Sequence, residues 1–210
     1  DKAAVQRGLQ VYKEVCSACH SMKFMSYRNL ADLGYTPDEI KSFAAQFTVT
    51  DGPNDEGEMF ERPAQPSDHF KSPFKNEKAA RASNNGALPP DMSLLVKARE
   101  GGEDYIYGVL NGYETPPADV KMMTGLNYNK YFPGHQIAMT KPLADGQVTY
   151  SDGTSASLEQ ASHDVVQFLA WVSDPHMEQR KQTGLKVVLF LLAFAGIMYR
   201  VKRKIWSNLH

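Results

Sequence analysis

Residues 16–20 read Cys16-Ser17-Ala18-Cys19-His20. Two thiols three positions apart, followed directly by a histidine, form the pattern through which haem is attached covalently to a protein chain. Each cysteine adds to one vinyl group of the porphyrin, and the histidine is then held next to the iron as its proximal ligand. We therefore interpret this stretch as the attachment site of a c-type haem, around which the rest of the chain folds.

Three other interpretations of the cysteine pair are less favoured. Cys16 and Cys19 are the only cysteines in the sequence, and a disulfide that closes so tight a loop is strained and usually redox-active rather than structural. A thioredoxin-like dithiol requires a βαβ setting, which the sequence around the pair does not predict. A zinc site requires a fourth ligand and usually a second cysteine or histidine pair.

Charges are distributed unevenly along the 210 residues. Residues 180–210 contain seven basic side chains and no acidic one, so residues 1–179 hold 16 basic against 24 acidic side chains. An acidic body favours a basic protein partner and argues against nucleic acid as a partner. Because haem is attached to such a motif outside the cytoplasm, we expect that a targeting leader has been removed before Asp1.

Hydrophobic periodicity and capping residues predict a mostly α-helical fold with long loops. The predicted helices cover about residues 3–15, 26–33, 37–47, 91–99, 104–110 and 157–172. Ser26, Thr36 and Asp91 are the predicted N-caps of the second, third and fourth of them. Long loops are predicted at 51–78 and 113–155, where Gly and Pro recur, with a small hairpin at 147–150 inside the second loop. Acidic side chains cluster in the first loop, which is either simply solvated or docks a partner protein: Asp51, Asp55, Glu56, Glu58 and Glu61.

The C-terminal segment predicts a membrane anchor. Residues 187–199 are uninterrupted apolar sequence, which alone is short for a span of about twenty residues. Lys186 and Arg200 can snorkel and Trp206 suits a membrane interface, so the flanks extend the segment to a full span. A buried core helix is the alternative, but the bracketing cations argue against it. We therefore divide the chain into a haem domain, 1–179, and a transmembrane anchor, 180–210, with a cytoplasmic C-terminus.

The residues alone leave the sixth ligand of the iron open. Methionine is the usual second axial ligand of an electron-carrying c-type haem. Once the methionines beside His20 and those in the tail are set aside, five remain: Met59, Met92, Met122, Met123 and Met139. Met139 is favoured among them, because residues around it cannot extend regular structure and so leave a ligand loop free to turn. Three histidines are rivals for a bis-histidine site: His69, His135 and His163.

Longer motifs accompany the haem motif along nearly the whole chain. They include Ser26-Tyr27-Arg28, Asn84-Asn85-Gly86-Ala87-Leu88-Pro89-Pro90-Asp91, Ala98-Arg99-Glu100-Gly101-Gly102-Glu103-Asp104-Tyr105, Tyr131-Phe132-Pro133-Gly134, Ile137-Ala138-Met139 and Lys204-Ile205-Trp206-Ser207. With these motifs the chain resembles the cytochrome c1 family, the haem-bearing subunits of cytochrome bc1 (quinol–cytochrome c reductase) complexes. The apolar run of the anchor is short for that family.

The resemblance implies roles for individual residues. Cys16 and Cys19 would hold the haem covalently, one haem c per chain. His20 would be the proximal ligand of the iron and Met139 the distal one.

Four further positions are implied to face the haem. Arg99 and Tyr105 match family positions that reach the haem propionates, and a guanidinium is a suitable partner for a carboxylate. Asn84 and Pro89, the latter in the Pro89-Pro90 turn, would line the haem pocket.

The resemblance also implies a class I cytochrome c fold followed by one transmembrane helix, and a role in one-electron transfer. The electron would come from the Rieske iron–sulfur protein, itself reduced by quinol at cytochrome b, and would pass to a cytochrome c within a dimeric complex. The haem domain would face the bacterial periplasm, with the mitochondrial inner membrane as the alternative location. Two other classes stay open: a membrane-tethered carrier without a cytochrome b partner, and a haem catalyst or gas sensor with an open iron site.

Overall fold

A computed structural model of the chain describes residues 1–207. It is mostly helical, as the sequence predicts, with two pairs of short antiparallel strands. The elements follow in the order α1 (Lys2–Glu14), α2 (Pro37–Ala44), β1 (Thr48–Asp51), β2 (Phe60–Pro63), α3 (Glu77–Ser83), α4 (Gly102–Asn111), β3 (Asn127–Tyr128), β4 (Gln136–Ile137), α5 (Leu158–Ser173) and α6 (Met177–Trp206). The chain divides into two units, residues 1–173 and a second that begins at Asp174.

Helices α1 and α5 cross at close range and form the centre of the first unit. Val5, Leu9 and Tyr12 on the predicted apolar face of α1 are buried, while Val15, also predicted there, is partly buried at the C-cap. Gly8 makes the crossing possible, since a Cβ atom at this position would lie 2.0 Å from the Asp164 main-chain oxygen. No side chain fits in that space, and the two helix backbones therefore approach as closely as van der Waals contact allows.

A buried ion pair joins the same two helices. The Asp164 side chain is fully buried, and Arg7 Nε lies 2.8 Å from its Oδ2 while Arg7 Nη2 lies 3.1 Å from its Oδ1. Gln160 Nε2 donates a further hydrogen bond of 3.0 Å to Oδ1. Arg7 also reaches Asp152 at 2.9 Å, in the segment that precedes α5. The guanidinium thus ties α1 to α5 and to that preceding segment.

The predicted helix at 26–33 is a 3₁₀-helix, Tyr27–Leu33, whose Ser26 cap donates its main-chain N–H to Asn29 Oδ1. Helix α2 begins after Thr36, the predicted cap, which forms a capping box in which Glu39 accepts from the Thr36 main-chain N–H. The rings of Phe70 and Phe47 stack on Tyr27, with centroids 4.7 Å and 5.5 Å away. This aromatic cluster packs the two short helices onto the core.

The predicted loop at 51–78 is wrong in part, because it contains structured elements. Strand β1 pairs with β2 in antiparallel register, with Thr48 opposite Pro63 and Asp51 opposite Phe60, and α3 begins before the predicted loop ends. Arg62 stabilises the hairpin through Asp51 on the facing strand and through Asp68 at 2.6 Å. These pairings join residues that are distant in sequence, so local Gly and Pro content did not reveal them.

Two predicted elements in the first unit are wrong. Residues 92–101 form a series of turns rather than a helix, and Met92 N–H donates to the Ser21 carbonyl of another segment at 2.8 Å. The hairpin predicted at 147–150 does not form, and Gly146 N–H instead bonds to the Ala156 carbonyl at 2.8 Å. The predicted helices at 104–110 and 157–172 are confirmed as α4 and α5.

The second unit contains α6, a helix of 30 residues whose apolar side chains are exposed along its length. Within residues 1–207 it is the one helix that is long and apolar enough to cross a membrane. At a rise of about 1.5 Å per residue, such a helix exceeds the roughly 30 Å of a hydrocarbon core. Basic side chains at its C-terminal end, Arg203 and Lys204, stand where the helix dipole favours positive charge. The predicted C-terminal transmembrane helix is confirmed in its length and composition.

Candidate haem site

The haem motif is a single turn that follows α1 directly. Residues 16–18 form one turn of 3₁₀-helix, and the main-chain N–H groups of Cys19 and His20 both donate to the Cys16 carbonyl, at 3.1 Å and 2.9 Å. Both cysteines are free thiols, Cys16 buried and Cys19 exposed. The turn therefore presents two thiols and an imidazole from five consecutive residues whose main chain is already hydrogen-bonded.

The environment of Cys16 opposes ionisation of its thiol. Burial raises the pKa of Cys16 to about 12, and the neighbouring Cys19 adds to the shift. A redox-active dithiol or a zinc ligand requires a thiolate, which a protein favours by lowering this pKa. A thioether has no proton to lose and no charge to solvate, so burial of the sulfur is compatible with covalent haem attachment.

The His20 ring is oriented by the main chain of another segment. Its Nδ1 lies 2.8 Å from the Pro90 carbonyl oxygen. Because a carbonyl only accepts, Nδ1 must carry the ring proton, which leaves Nε2 with a free lone pair. Burial lowers the pKa of His20, against the opposing effects of Pro90 and Asp91, so the ring is held neutral. A neutral imidazole with one nitrogen anchored to a carbonyl is the usual arrangement of a histidine that ligates a metal.

Residues 90–93, which we term the proximal strap, are bound to the segment that follows His20. Asp91 is the centre of this contact: its Oδ2 accepts from the Ser21 hydroxyl at 2.7 Å and from the Lys23 main-chain N–H at 2.9 Å. The Ser93 hydroxyl accepts from Phe24 N–H at 3.0 Å. The proximal strap thereby fixes the Pro90 carbonyl relative to His20. The sequence predicted Asp91 only as a helix cap, and its role here was missed.

Helix α1 holds the main chain of the same histidine from another direction. The Tyr12 hydroxyl donates to the His20 carbonyl at 3.2 Å, and Tyr12 itself is almost completely buried. Burial raises the pKa of Tyr12, so the hydroxyl keeps its proton and remains a donor. His20 is therefore restrained through its ring by the proximal strap and through its carbonyl by α1.

Replacement of Asp91 by asparagine should lower the free energy of unfolding at neutral pH by about 1 kcal/mol, since the amide accepts these hydrogen bonds more weakly. The pKa of Asp91 lies below its ordinary value. Burial raises this pKa, but hydrogen bonds from Ser93, Ser21 and Lys23 together lower it by more. A carboxyl with a depressed pKa stabilises the fold above its unfolded pKa of about 3.9 and loses this contribution as the pH falls through the folded pKa.

Urea unfolding followed between neutral and acidic pH measures this contribution. The difference between the unchanged protein and the Asp91→Asn variant should shrink as the solution is acidified below the unfolded pKa. Asp145→Asn, which alters a carboxylate in the segment before α5 that caps Leu158 N–H, is the control for an ordinary loss of a surface hydrogen bond. A difference that stays constant over the whole pH range would contradict the proposed role of the Asp91 charge.

Met139 lies two residues beyond β4, on a segment held by the β3–β4 pair. The register places Asn127 opposite Ile137, and the pair ends there. The main-chain carbonyl of Met139 accepts from the Tyr113 hydroxyl at 3.0 Å and from Asn127 Nδ2 at 3.3 Å. Its side chain is partly buried. The loop that was predicted to carry the distal ligand is therefore anchored through side-chain donors.

A buried asparagine connects this loop to α4. Asn129 is completely buried, and its Nδ2 donates to the Val109 carbonyl of α4 at 2.7 Å. Its Oδ1 accepts from the main-chain N–H groups of Tyr131 and Phe132, each at 3.1 Å. The sequence reasoning missed Asn129, and a lone asparagine in a loop carries no local signal for such a role.

The remaining predicted site residues lie on other segments. Arg99 is exposed and donates to the neighbouring Ala98 carbonyl at 3.0 Å, while Tyr105 packs partly buried against the core from α4. Asn84 donates to the Ala80 carbonyl at 2.8 Å at the end of α3. Pro89 is partly buried and directly precedes Pro90. The structure thus brings Pro89-Pro90 to His20, whereas the polar atoms of Arg99 and Asn84 bind within their own segments.

The other methionines and histidines considered as the sixth ligand of the iron lie in different environments. Met92 is buried in the hydrophobic core, while Met59 and Met123 are more than half exposed. His69 lies 3.4 Å from the Ser26 hydroxyl, and His135 stacks on Tyr128 with ring centroids 5.8 Å apart. The two thiols and the neutral imidazole, with a thioether available on an anchored loop, form a donor set that fits a c-type haem.

Comparison with known proteins is consistent with this donor set. The family model described as the cytochrome C1 family matches residues 1–209. The chain is 50% identical to a protein of Solanum tuberosum named "Cytochrome c1-2, heme protein, mitochondrial", covering all of this chain and 80% of that protein. It is 48% identical to "Cytochrome c1" of Rhodospirillum rubrum, covering 99% of this chain and 82% of that protein.

One similar protein is much longer than this chain. The chain is 50% identical over its whole length to "Cytochrome b/c1" of Bradyrhizobium diazoefficiens, but it spans only 34% of that protein.

Proposed function

This chain belongs to the cytochrome c1 family, and from that premise we propose that it is the electron-carrying subunit of a quinol–cytochrome c reductase (cytochrome bc1) complex. A covalently bound haem c would supply the reversible one-electron chemistry of its iron. The chain would receive an electron from a Rieske iron–sulfur protein and deliver it to a cytochrome c. It breaks no bond by itself and is an enzyme only as a subunit of the complex.

Four residues would hold the haem. Cys16 and Cys19 would form the two thioethers, His20 would bind the iron from the proximal side and Met139 from the distal side. The observation that carries the proposal is the 2.8 Å contact from His20 Nδ1 to the Pro90 carbonyl, because it leaves Nε2 available as a ligand. A soft thioether as second ligand favours the ferrous state and so raises the reduction potential.

Four further residues would surround the porphyrin. We propose that Arg99 and Tyr105 neutralise and hydrogen-bond the propionates, and that Asn84 and Pro89 line the pocket. The support is chemical: Arg99 is exposed with most of its donors available to a carboxylate, and Pro89 adjoins the carbonyl that orients His20.

The assignment of both axial ligands is tested by the optical spectrum of the reduced, detergent-solubilised protein with and without carbon monoxide. The unchanged protein should give a low-spin spectrum that carbon monoxide alters little, because both axial positions are filled. The Met139→Leu variant should bind carbon monoxide readily and have a lower reduction potential. Met92→Leu, a similar change at a buried core position, should behave like the unchanged protein.

Rapid carbon monoxide binding by the unchanged protein would contradict the proposal. It would indicate an open sixth position and favour a haem catalyst or gas sensor.

The electron acceptor is proposed from charge. Residues 1–179 hold 16 basic against 24 acidic side chains, which would attract a basic cytochrome c. Asp55, Glu56 and Glu58 lie in the turn between β1 and β2 and are exposed. They are our candidates for the docking surface.

Neutralising these three side chains together, as Asp55→Asn, Glu56→Gln and Glu58→Gln, should slow the reaction with cytochrome c at low salt and flatten its dependence on ionic strength. Stopped-flow rates over a series of salt concentrations measure both effects. Neutralising Asp38, Glu77 and Glu159, exposed carboxylates on three helices, removes the same charge elsewhere. If the reaction with cytochrome c has the same salt dependence in both triple variants, the turn between β1 and β2 is not the docking surface.

The membrane partners are proposed from α6 and the family. A single helix of this length and apolarity would anchor the chain beside cytochrome b in a dimeric complex. The basic residues at its C-terminal end would lie on the cytoplasmic side of a bacterial membrane, with the haem domain in the periplasm. The mitochondrial inner membrane is the alternative location. Co-purification of cytochrome b and the Rieske protein in mild detergent tests the assembly, and isolation of the chain alone would favour a tethered carrier.

A further inference from the structure

We propose that Tyr113 and Asn127 are positioning residues that keep the Met139 thioether on the iron by holding the Met139 main chain. The inference rests on the proposed role of Met139 as the distal ligand, and it adds two residues that bind neither the iron nor the porphyrin in that proposal.

Two side-chain donors converge on one main-chain acceptor. The Tyr113 hydroxyl lies 3.0 Å and Asn127 Nδ2 lies 3.3 Å from the Met139 carbonyl oxygen. Asn127 Nδ2 also lies 3.5 Å from the carbonyl of Ile137, at the outer limit of a hydrogen bond. Both donors thus act at the main-chain atom of the ligand residue itself.

The two side-chain donors take the place of strand hydrogen bonds, because the pairing of β3 with β4 ends before Met139. Strands β3 and β4 contain two residues each, and their register stops at the pair of Asn127 and Ile137. Ala138 and Met139 therefore continue without strand pairing. A carbonyl in such a segment requires another donor if it is not to be left to solvent.

The two donors are themselves fixed to the core. Tyr113 follows the C-terminal cap of α4 and forms an isolated β-bridge with Asn129, whose side chain is buried against the Val109 carbonyl. The Tyr113 side chain is itself partly buried. A path of hydrogen bonds therefore runs from α4 to the main chain of Met139.

Holding the main chain matters because the sulfur reaches the iron from a single flexible side chain. A ligand group must stay within about 0.5 Å of its productive position, and the surrounding residues must supply that precision. Methionine has three rotatable bonds and is conformationally adaptable. If its carbonyl is released, the side chain samples more positions, and the fraction of molecules with an open sixth site rises.

The test measures how fast carbon monoxide binds to the reduced holoprotein, since binding requires the thioether to leave. Loss of one neutral hydrogen bond in Tyr113→Phe should raise this rate about fivefold. Asn127→Ala removes a longer bond and should raise it about twofold, and the double variant about tenfold or more. The same variants should show a weaker methionine-to-iron absorption band in the ferric state and a lower reduction potential.

Three variants serve as references. Tyr131→Phe removes a tyrosine hydroxyl from a residue whose side chain is 53% exposed, and it should leave the rate unchanged. Val165→Ala lowers the stability of the core at a buried position of α5, and it should also leave the rate unchanged well below the unfolding temperature. Met139→Leu removes the thioether and sets the upper limit of the rate.

The outcomes separate the inference from the function on which it rests. A rise in Tyr113→Phe and Asn127→Ala that both control variants lack supports the positioning role. If Met139→Leu opens the site but the two variants bind carbon monoxide at the unchanged rate, the positioning role is overturned and the ligand assignment stands. If Met139→Leu leaves the spectrum and the rate unchanged, Met139 is not the ligand. The ligand assignment and the positioning role are then both overturned.

Discussion

The Gly8→Ala variant should lose about 3 kcal/mol or more of its free energy of unfolding, because the added methyl group has no space at the crossing of α1 and α5. The new Cβ would lie 2.0 Å from the Asp164 carbonyl oxygen and 2.6 Å from the Asp164 carbonyl carbon. These are main-chain atoms of a helix, so a change of side-chain rotamer cannot relieve the clash. The helices must separate, which disrupts the packing of Leu9 and Phe168.

Urea unfolding monitored by circular dichroism measures this loss, and two other glycines provide a graded series. At Gly184 in α6 a Cβ atom would meet nothing within 4 Å, whereas at Gly108 it would lie 3.0 Å from the Tyr131 ring. Alanine should be tolerated at Gly184, should cost an intermediate amount at Gly108, where the ring can shift, and should cost most at Gly8. Equal effects at all three positions would show that the α1–α5 crossing is not limited by backbone contact.

The Arg7→Met variant should lose about 3–5 kcal/mol, because it leaves the carboxylate of Asp164 buried without its cationic partner. The Asp164 side chain has no exposed surface; in the variant Gln160 would still donate to it, and His163 Nδ1 would lie 3.6 Å from its Oδ1. Methionine fills a similar volume to arginine. The loss of stability therefore reflects the unpaired, buried carboxylate of Asp164 more than a cavity. Equilibrium unfolding at neutral pH measures the change.

Two further variants isolate the cause of that loss. Replacing both partners, as Arg7→Met with Asp164→Leu, removes the stranded charge and should recover a large part of the stability. Asp152→Asn breaks only the contact of Arg7 with an exposed carboxylate, which should have little effect. If the double variant is no more stable than Arg7→Met alone, loss of packing rather than an unpaired charge explains the effect.

The parts of the fold that the sequence predicted correctly depend on short-range patterns. Helices α1, α4 and α5 carry apolar positions at helical spacing. The capping box at Thr36 and Glu39 likewise involves residues three positions apart. Such features can be read locally, because the residues that interact lie within one turn of each other.

The parts that could not be predicted depend on contacts between distant segments. Asp91 was interpreted as a helix cap because the residue type fits that role, but its carboxylate accepts from Ser21, 70 positions away. The same is true of the distal side, where Tyr113 reaches Met139 across 26 positions. The sequence neighbours of Met139 favoured it among five methionines, but they could not predict that Tyr113 and Asn127 hold its carbonyl.

The crossing at Gly8 joins the two ends of the first unit, and this has a consequence for the order of events during synthesis. Helix α1 is made before α5, which begins only at Leu158, so the helix that α1 meets at Gly8 is absent until most of the unit has been made. Contacts of such high sequence separation form late and slowly. The first and last helices of the unit therefore stabilise each other, and neither buries its full apolar face before residues 1–173 have all been made.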